Sequence, residues 1–332
     1  MNTPIVLIIF NRPDTTEKIF SVLAEVKPAQ LFVVADGPRA DRPGEAEKCA
    51  ATRAIIERVE WDCDLKKNYS EINLGCGRRP ATGISWAFEH VEQAIILEDD
   101  CIPHPTFFPF CAELLERYRD DERITQICGF NEHATHHTAY SYFFSRYPHC
   151  WGWATWQRAW RHYDFDIRIW PDLRGTQWLA YILGNTRGAR YWKDIFDDAF
   201  RCADKDFWDY QWTLCSWLQN GLTIKSTINL ISNIGFGNTA THTKSPRSKI
   251  AYLPTTVMPF PLQHPAHVTP NSDIDRVIVE DMVSSQTSWS LRLRRFLYRN
   301  TPALIKKAVK RLSTVFVMPT LAISFALLNH MG

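Results

Sequence analysis

The stretch AIILEDDCIPHP (residues 94–105) decides how the chain is read. Four apolar residues run directly into Glu98, Asp99 and Asp100, and Pro103 follows shortly after. A short apolar run bounded by turn residues reads as a buried strand. Three adjacent acids at its end repel one another, and burying them unpaired is costly. A positive group is therefore expected at this strand end. A hard divalent cation, which takes oxygen ligands, meets the need and would hold and neutralise phosphate oxygens. The plainer alternative has one Asp capping the next helix and the others in solvent.

Upstream of this stretch the chain alternates strand and helix signals. PIVLIIF (4–10) is an apolar run of strand length, and DTTEKIFSVLAEV (14–26) keeps Ile19, Phe20, Leu23 and Val26 on one helical face. LFVVAD (31–36) reads as a second strand closed by a turn-rich loop. A helix is predicted around 43–60, a short strand within 61–69, a loop at NLGCGRRP (73–80) and a helix over 81–91. Downstream, TFFPFCAELLERY (106–118) reads as a helix and ITQICGF (124–130) as a strand. This alternation predicts an α/β fold with a mostly parallel central sheet flanked by helices. From about 147 the chain becomes Trp-rich and reads as short helical pieces, WGWATWQRAW among them. A strand pair is expected near 222–232, and 246–280 as an extended Pro- and Ser-rich wrap over the body.

Composition sets outer bounds. The chain has 332 residues, 45% hydrophobic and 22% charged, which suits a globular protein with a sizeable core. Most of its 13 tryptophans are expected in that core. After Asp281 there are no acids and eight Lys or Arg, so the first 281 residues carry −6, the chain's +2 less those eight. Nine cysteines without paired spacing, and no signal peptide at the start, suggest a reducing cytoplasm. Cys101 with His104, or His149 with Cys150, lacks the second pair a zinc site requires.

Ligands of an open parallel sheet bind outside the carboxyl ends of its strands. Three of the predicted strands end in polar groups: Asn11-Arg12-Pro13, Asp36-Gly37-Pro38, and Glu98-Asp99-Asp100. The chain has neither a GxxxxGK[ST] loop nor a GxGxxG after the first strand, which argues against a P-loop NTPase and a dinucleotide-binding dehydrogenase. Arg12, Arg78 and Arg79 are then the candidates to hold phosphate beside a cation, the last two just before a predicted helix.

PIVLIIFNRP, VVADG, NLG with its following helix, and IILEDD together resemble the GT-A nucleotide-sugar glycosyltransferases. Gly152-Trp153 and Phe207-Trp208-Asp209, in order after the acidic run, are similar to the N-acetylglucosaminyltransferase I type over about residues 1–245. The resemblance implies a nucleotide-sugar half (1–130) and an acceptor half (131–245). Asp100 would bind Mn²⁺ or Mg²⁺ bridging the diphosphate of a nucleoside-diphosphate sugar, a UDP-sugar being favoured. Asp36 would hydrogen-bond the base with Asn11 or Arg12 beside it, and Glu98 and Asp99 would contact ribose or donor sugar. His242, from NIGFGNTATHT, would lie near the metal and diphosphate. Asp209 would be the catalytic base of an inverting transfer; read from the residues alone, it is equally a helix N-cap for YQWTLCSWL.

The basic tail, 281–332, pairs Lys and Arg with apolar positions and fits an anionic lipid interface better than a bilayer span. That suits a protein peripheral on the inner face of the membrane with a glycan or lipid-linked acceptor, while the free cysteines and missing signal, taken with the resemblance, imply a bacterial enzyme of polysaccharide biosynthesis. The alternative is a tail packed on the body. Nucleic acid is not expected, for want of a groove-reading motif. The rival functions are a sugar-phosphate nucleotidyltransferase, which FNRPDTTEK argues against by lacking glycine, and a non-catalytic sugar-binding protein of the same fold.

Overall fold

The computed structural model describes residues 1–134, 138–202, 205–237 and 249–285. Two compact units are present, Met1–Ile278 and Val279–Gly332, and the site below belongs to the first. The basic tail from 286 onward lies outside the described residues. Among the described residues no helix is long and apolar enough to cross a membrane.

The first part alternates as expected: β1 (Ile5–Ile9), α1 (Pro13–Val26), β2 (Gln30–Ala35), α2 (Glu45–Ile56), β3 (Asp64–Tyr69), α3 (Gly75–Ala87) and β4 (Gln93–Glu98). A short strand β5 (Cys101–Pro103) leads to α4 (Phe107–Arg117) and β6 (Ile124–Cys128). Then come β7 (Tyr142–Ser145), β8 (Trp153–Trp156), α5 (Gln157–Trp160), α6 (Trp170–Leu173), α7 (Trp178–Leu183) and α8 (Thr186–Arg201). The series closes with α9 (Asp209–Leu218), β9 (Leu222–Ser226), β10 (Ile231–Asn233) and α10 (Ser272–Ser285).

Eight strands form one sheet in the order β3-β2-β1-β4-β8-β6-β9-β7. β1 to β4 run parallel, β8 is antiparallel to β4 and β6 on either side, β9 is parallel to β6, and β7 is antiparallel at the edge. Six strands therefore share one direction, the mostly parallel arrangement the sequence predicts. Alternation along the strands divides the core. Ile5, Leu7 and Ile9 face α1, α2 and α4, whereas Val6 and Ile8 face α3, α5 and α9. With both faces covered, β1 is apolar at every position.

Three local expectations are corrected. WATW, read as part of a helical piece, is the central antiparallel strand β8, because it sits between β4 and β6 with both side-chain faces buried. The expected pairing near 222–232 does not form: β9 joins the main sheet, and β10 pairs antiparallel with β5. Third, the predicted loop at 73–80 is mostly helix, since α3 starts at Gly75 and carries Pro80 inside it. Most of the described tryptophans are core, as expected. Trp153, Trp156, Trp170, Trp212 and Trp217 are fully buried, and Trp153 stacks on Trp208 at 5.6 Å between ring centroids.

Residues 249–271 run irregularly over the body. Thr256 N–H donates to Asn229 C=O at 2.8 Å, Gln263 N–H to Ser141 Oγ at 2.9 Å, and Asn271 N–H to Phe144 C=O at 2.8 Å. Asp275, buried in α10, accepts from Ser145 Oγ at 2.6 Å and ties that helix to β7.

Trp153 joins β8 to the aromatic cluster of Trp160, Trp208 and Trp212 and is 1% exposed. Truncating a buried Trp to Ala typically costs about 3–5 kcal/mol. Trp153→Ala is expected to lose that much in urea denaturation; a loss below about 1 kcal/mol would contradict the burial of β8.

Candidate functional site

The carboxyl ends of β1, β2 and β4 lie side by side at one edge of the sheet because the three strands are adjacent and parallel, the edge where ligands of such sheets bind. The backbone continues the ladder past the strands. Asp36 N–H donates to Ile9 C=O at 3.3 Å, and Asp99 N–H donates to Ile8 C=O at 3.0 Å. Asp36 and the acidic run thus flank the end of β1, from which Arg12 emerges.

The positive group facing the acids in this structure is Arg12. Its Nη1 lies 2.8 Å from Asp100 Oδ2, and its Nη2 is paired with Asp99 Oδ1. Asp99 and Asp100 are buried. Burial would by itself lower the guanidinium's pKa, but the two carboxylates more than reverse this and hold it charged. Burial raises the Glu98 carboxyl well above its usual range, with Asp100 and Asp99 adding to the effect. Asp99 is raised too, by burial first, Arg12 working the other way.

Behind Asp100 stands the loop after β10. Ile234 N–H donates to Asp100 C=O at 2.8 Å, and a Cβ on Gly235 would come within 1.8 Å of Asp100 Oδ2. Only a glycine lets the backbone pass this close to the carboxylate. The β5–β10 pair, in which Asn233 opposes Cys101, sets this approach. His242 itself lies outside the described residues, as do 238–248 around it.

Asp209 opens α9. The cap position falls on Trp208, so Asp209 is the first helical residue and not the N-cap. Its charge acts on Glu98, Cys150 and Tyr163, which places it in electrostatic reach of the acidic run. The segment before it is held against the start of α3. Cys76 Sγ donates to Asp206 C=O at 2.9 Å, and a Cβ on Gly77 would stand 2.1 Å from Lys205 C=O. Tyr163 OH donates to Trp208 C=O at 3.0 Å.

The remaining predicted residues have mixed positions. Asp36 is buried, and its Oδ1 accepts from Gly37 N–H and Leu74 N–H at 2.9 and 2.8 Å. Its Oδ2 accepts from Asn73 Nδ2 and Gly75 N–H at 3.0 and 2.9 Å. A carboxylate has about four acceptor sites, so Asp36 is taken up in starting α3, and the expected hydrogen bond to a base gives way to that role. Burial raises its pKa, and the three backbone donors oppose the rise. Arg79 is likewise structural: it is buried, with Nε donating to Ala35 C=O at 3.1 Å and Nη2 to Asn68 Oδ1 at 2.8 Å. Arg78 is exposed on the first turn of α3, its guanidinium 4.8 Å from the centroid of Phe165. Asn11 donates to Glu45 Oε1 at 2.9 Å, and Arg39 pairs with the same carboxylate. Glu45, Asn73, Cys76 and Gly235 were missed in the sequence because each acts through a contact far away in the chain. The glycine of NIGFG was the one visible sign.

Among the described residues no group of three His, Cys, Asp or Glu side chains is gathered as a metal cage. The donor chemistry nevertheless suits a divalent ion. Glu98, Asp99 and Asp100 offer only oxygen, Arg12 compensates one charge of the Asp99–Asp100 pair, and among the described residues Asp99 Oδ2 is buried with no hydrogen-bond partner.

No protein-family model and no curated protein matches the chain. Among solved structures it is similar to mouse xyloside xylosyltransferase 1 in its apo form, at 10% identity over 67% of this chain and 84% of that one, TM-score 0.34. It is also similar to a UDP-glucose pyrophosphorylase in complex with UDP-glucose, at 9% identity over 68% of this chain and 90% of that one, TM-score 0.32. A third is 4-diphosphocytidyl-2C-methyl-D-erythritol synthase from Anaerococcus prevotii, at 11% identity over 48% and 74%, TM-score 0.29.

Asp36→Ala is expected to destabilise the protein by about 1–3 kcal/mol, because two backbone donors at the start of α3, Leu74 and Gly75, and the neighbouring Gly37 N–H lose their acceptor. Urea denaturation without any nucleotide measures it. Unchanged stability would show that the carboxylate is not needed to hold the helix.

Proposed function

We propose that the chain is a glycosyltransferase that moves a sugar from a nucleoside-diphosphate sugar, a UDP-sugar in the favoured case, to a hydroxyl of a glycan or lipid-linked acceptor, inverting the anomeric centre. One observation carries this reading. A second carboxylate, Asp209, is close enough for its charge to be felt at Glu98, and it is not one of the two acids bridged by Arg12. Transfer to a hydroxyl needs both elements: compensation of a leaving diphosphate, and a separate base for the attacking O–H.

In this reading residues 1–130 hold the donor and 131–245 the acceptor, in the manner of the N-acetylglucosaminyltransferase I type. Asn11, Arg12 and Arg78 line the donor side, and Glu98 and Asp99 face the ribose or the sugar. Asp100, with His242, would hold Mn²⁺ or Mg²⁺, which when bound supplies Lewis-acid compensation for the departing diphosphate. Asp209 accepts the acceptor's proton as its oxygen approaches the anomeric carbon. Cys76 and Gly77 keep the segment before α9 against α3, so the base is held by the same helix start that borders the donor. The basic residues after 281 suit an acceptor carried on an anionic membrane surface, with the protein peripheral on its cytoplasmic face.

The test is incubation with UDP-sugars and Mn²⁺, with and without EDTA, following release of free UDP. Asp209→Asn is expected to lower turnover by about 100-fold or more while UDP binding, followed by thermal shift, stays within about threefold of wild type. Normal turnover in Asp209→Asn overturns the base assignment. Formation of a nucleoside triphosphate from pyrophosphate and the UDP-sugar, in place of UDP release, would make the protein a nucleotidyltransferase.

A further inference from the structure

We infer that Arg12 is an internal counter-ion of Asp99 and Asp100 that competes with a divalent cation for Asp100, so that cation and nucleotide diphosphate bind with positive coupling as they displace it together. The inference rests on the proposed donor site and goes beyond it, because it concerns how that site is kept before the donor arrives.

The geometry is that of a bridge. One guanidinium spans two neighbouring carboxylates, Nη1 on Asp100 Oδ2 at 2.8 Å and Nη2 on Asp99 Oδ1. The side chains of the acids are 3% and 11% exposed, and that of Arg12 is 23% exposed. The bridge is incomplete as compensation. Asp99 and Asp100 together exceed the single charge of Arg12, and among the described residues Asp99 Oδ2 is buried without a hydrogen-bond partner.

The backbone of Arg12 is fixed while its side chain has two classes of partner. Arg12 C=O accepts from Thr16 N–H at 3.0 Å and from Thr15 Oγ1 at 3.1 Å at the start of α1. A guanidinium recognises carboxylate and phosphate with the same fork. A diphosphate entering the crevice therefore offers Arg12 a replacement for the carboxylates it leaves, and the freed oxygens are hard ligands for a divalent ion. Neither exchange is favourable alone: the cation must displace a guanidinium held by two carboxylates, and the diphosphate must draw it from two buried acids. Together the costs offset, which is the condition for coupled binding.

The measurement is Mn²⁺ binding, read as free Mn²⁺ by electron paramagnetic resonance, for wild type and Arg12→Gln, each with and without UDP. Wild type is expected to bind Mn²⁺ at least about tenfold more tightly with UDP than without. Arg12→Gln, having lost the competitor, is expected to bind Mn²⁺ alone at least about tenfold more tightly than wild type, with the benefit from UDP reduced. If Arg12→Gln does not fold by circular dichroism, Arg12→Lys replaces it; a single ammonium loses the fork, and an intermediate gain in Mn²⁺ affinity is expected. Mn²⁺ affinity unchanged or weaker in the folded variant overturns the role of Arg12 and leaves the donor site standing, provided wild type binds Mn²⁺ with UDP. Absence of Mn²⁺ binding in every combination overturns the inference together with the metal reading.

Discussion

Two carboxylates can lie buried side by side at the end of β4 only if a cation lies against them, and here that cation is Arg12. Removing one partner of a buried ion pair typically costs about 3–5 kcal/mol, because the remaining charge is left without compensation. The constraint reaches beyond the pair. Arg12 leaves β1 immediately before α1, and Asp99 leaves β4, the strand beside β1. The ion pair therefore locks the loops after the two central strands to each other. The β10 loop closes on the far side of Asp100 through Gly235, so a third chain segment is registered by the same carboxylates.

A parallel device stands on the other side of β1. Asp36 starts α3 from 38 positions upstream of Leu74, accepting from Leu74 and Gly75 N–H. The acid belongs to a strand end and the helix to a later crossover, so the cap ties them in three dimensions. Its consequence reaches Asp209. The first turn of α3 carries Cys76 and Gly77, which touch the backbone of Asp206 and Lys205. The donor side and the proposed base thus share one helix start, and a shift of α3 would move both.

The halves of the site differed in how far they could be read in advance. Glu98, Asp99, Asp100 and Arg12 are legible because each follows an apolar run of strand length, and the ends of adjacent parallel strands must converge. That the counter-ion of the acids is an arginine of the chain was not legible, since no local pattern distinguishes a guanidinium 87 positions away from a bound ion. Asp36 shows the opposite error. A lone Asp at a strand end invites a ligand-binding role, but four donors from its own neighbourhood and from residues 73–75 already occupy it. Asp209 stands one position inside α9, where its local sequence suited the helix cap itself.

By itself the sequence determined the class of fold, because period and length of apolar runs report directly which faces of strands and helices are buried. It also determined the set of acids and the one arginine that end the central strands. Tertiary structure decided the rest. WATW is a strand because β4 and β6 leave an antiparallel slot between them, and GCGRRP is helix because Asp36 supplies its cap from a distance. The physical reason is the same in each case. Hydrogen-bond partners and counter-charges that lie tens of residues away outweigh local propensities worth at most about 1 kcal/mol per ordinary residue.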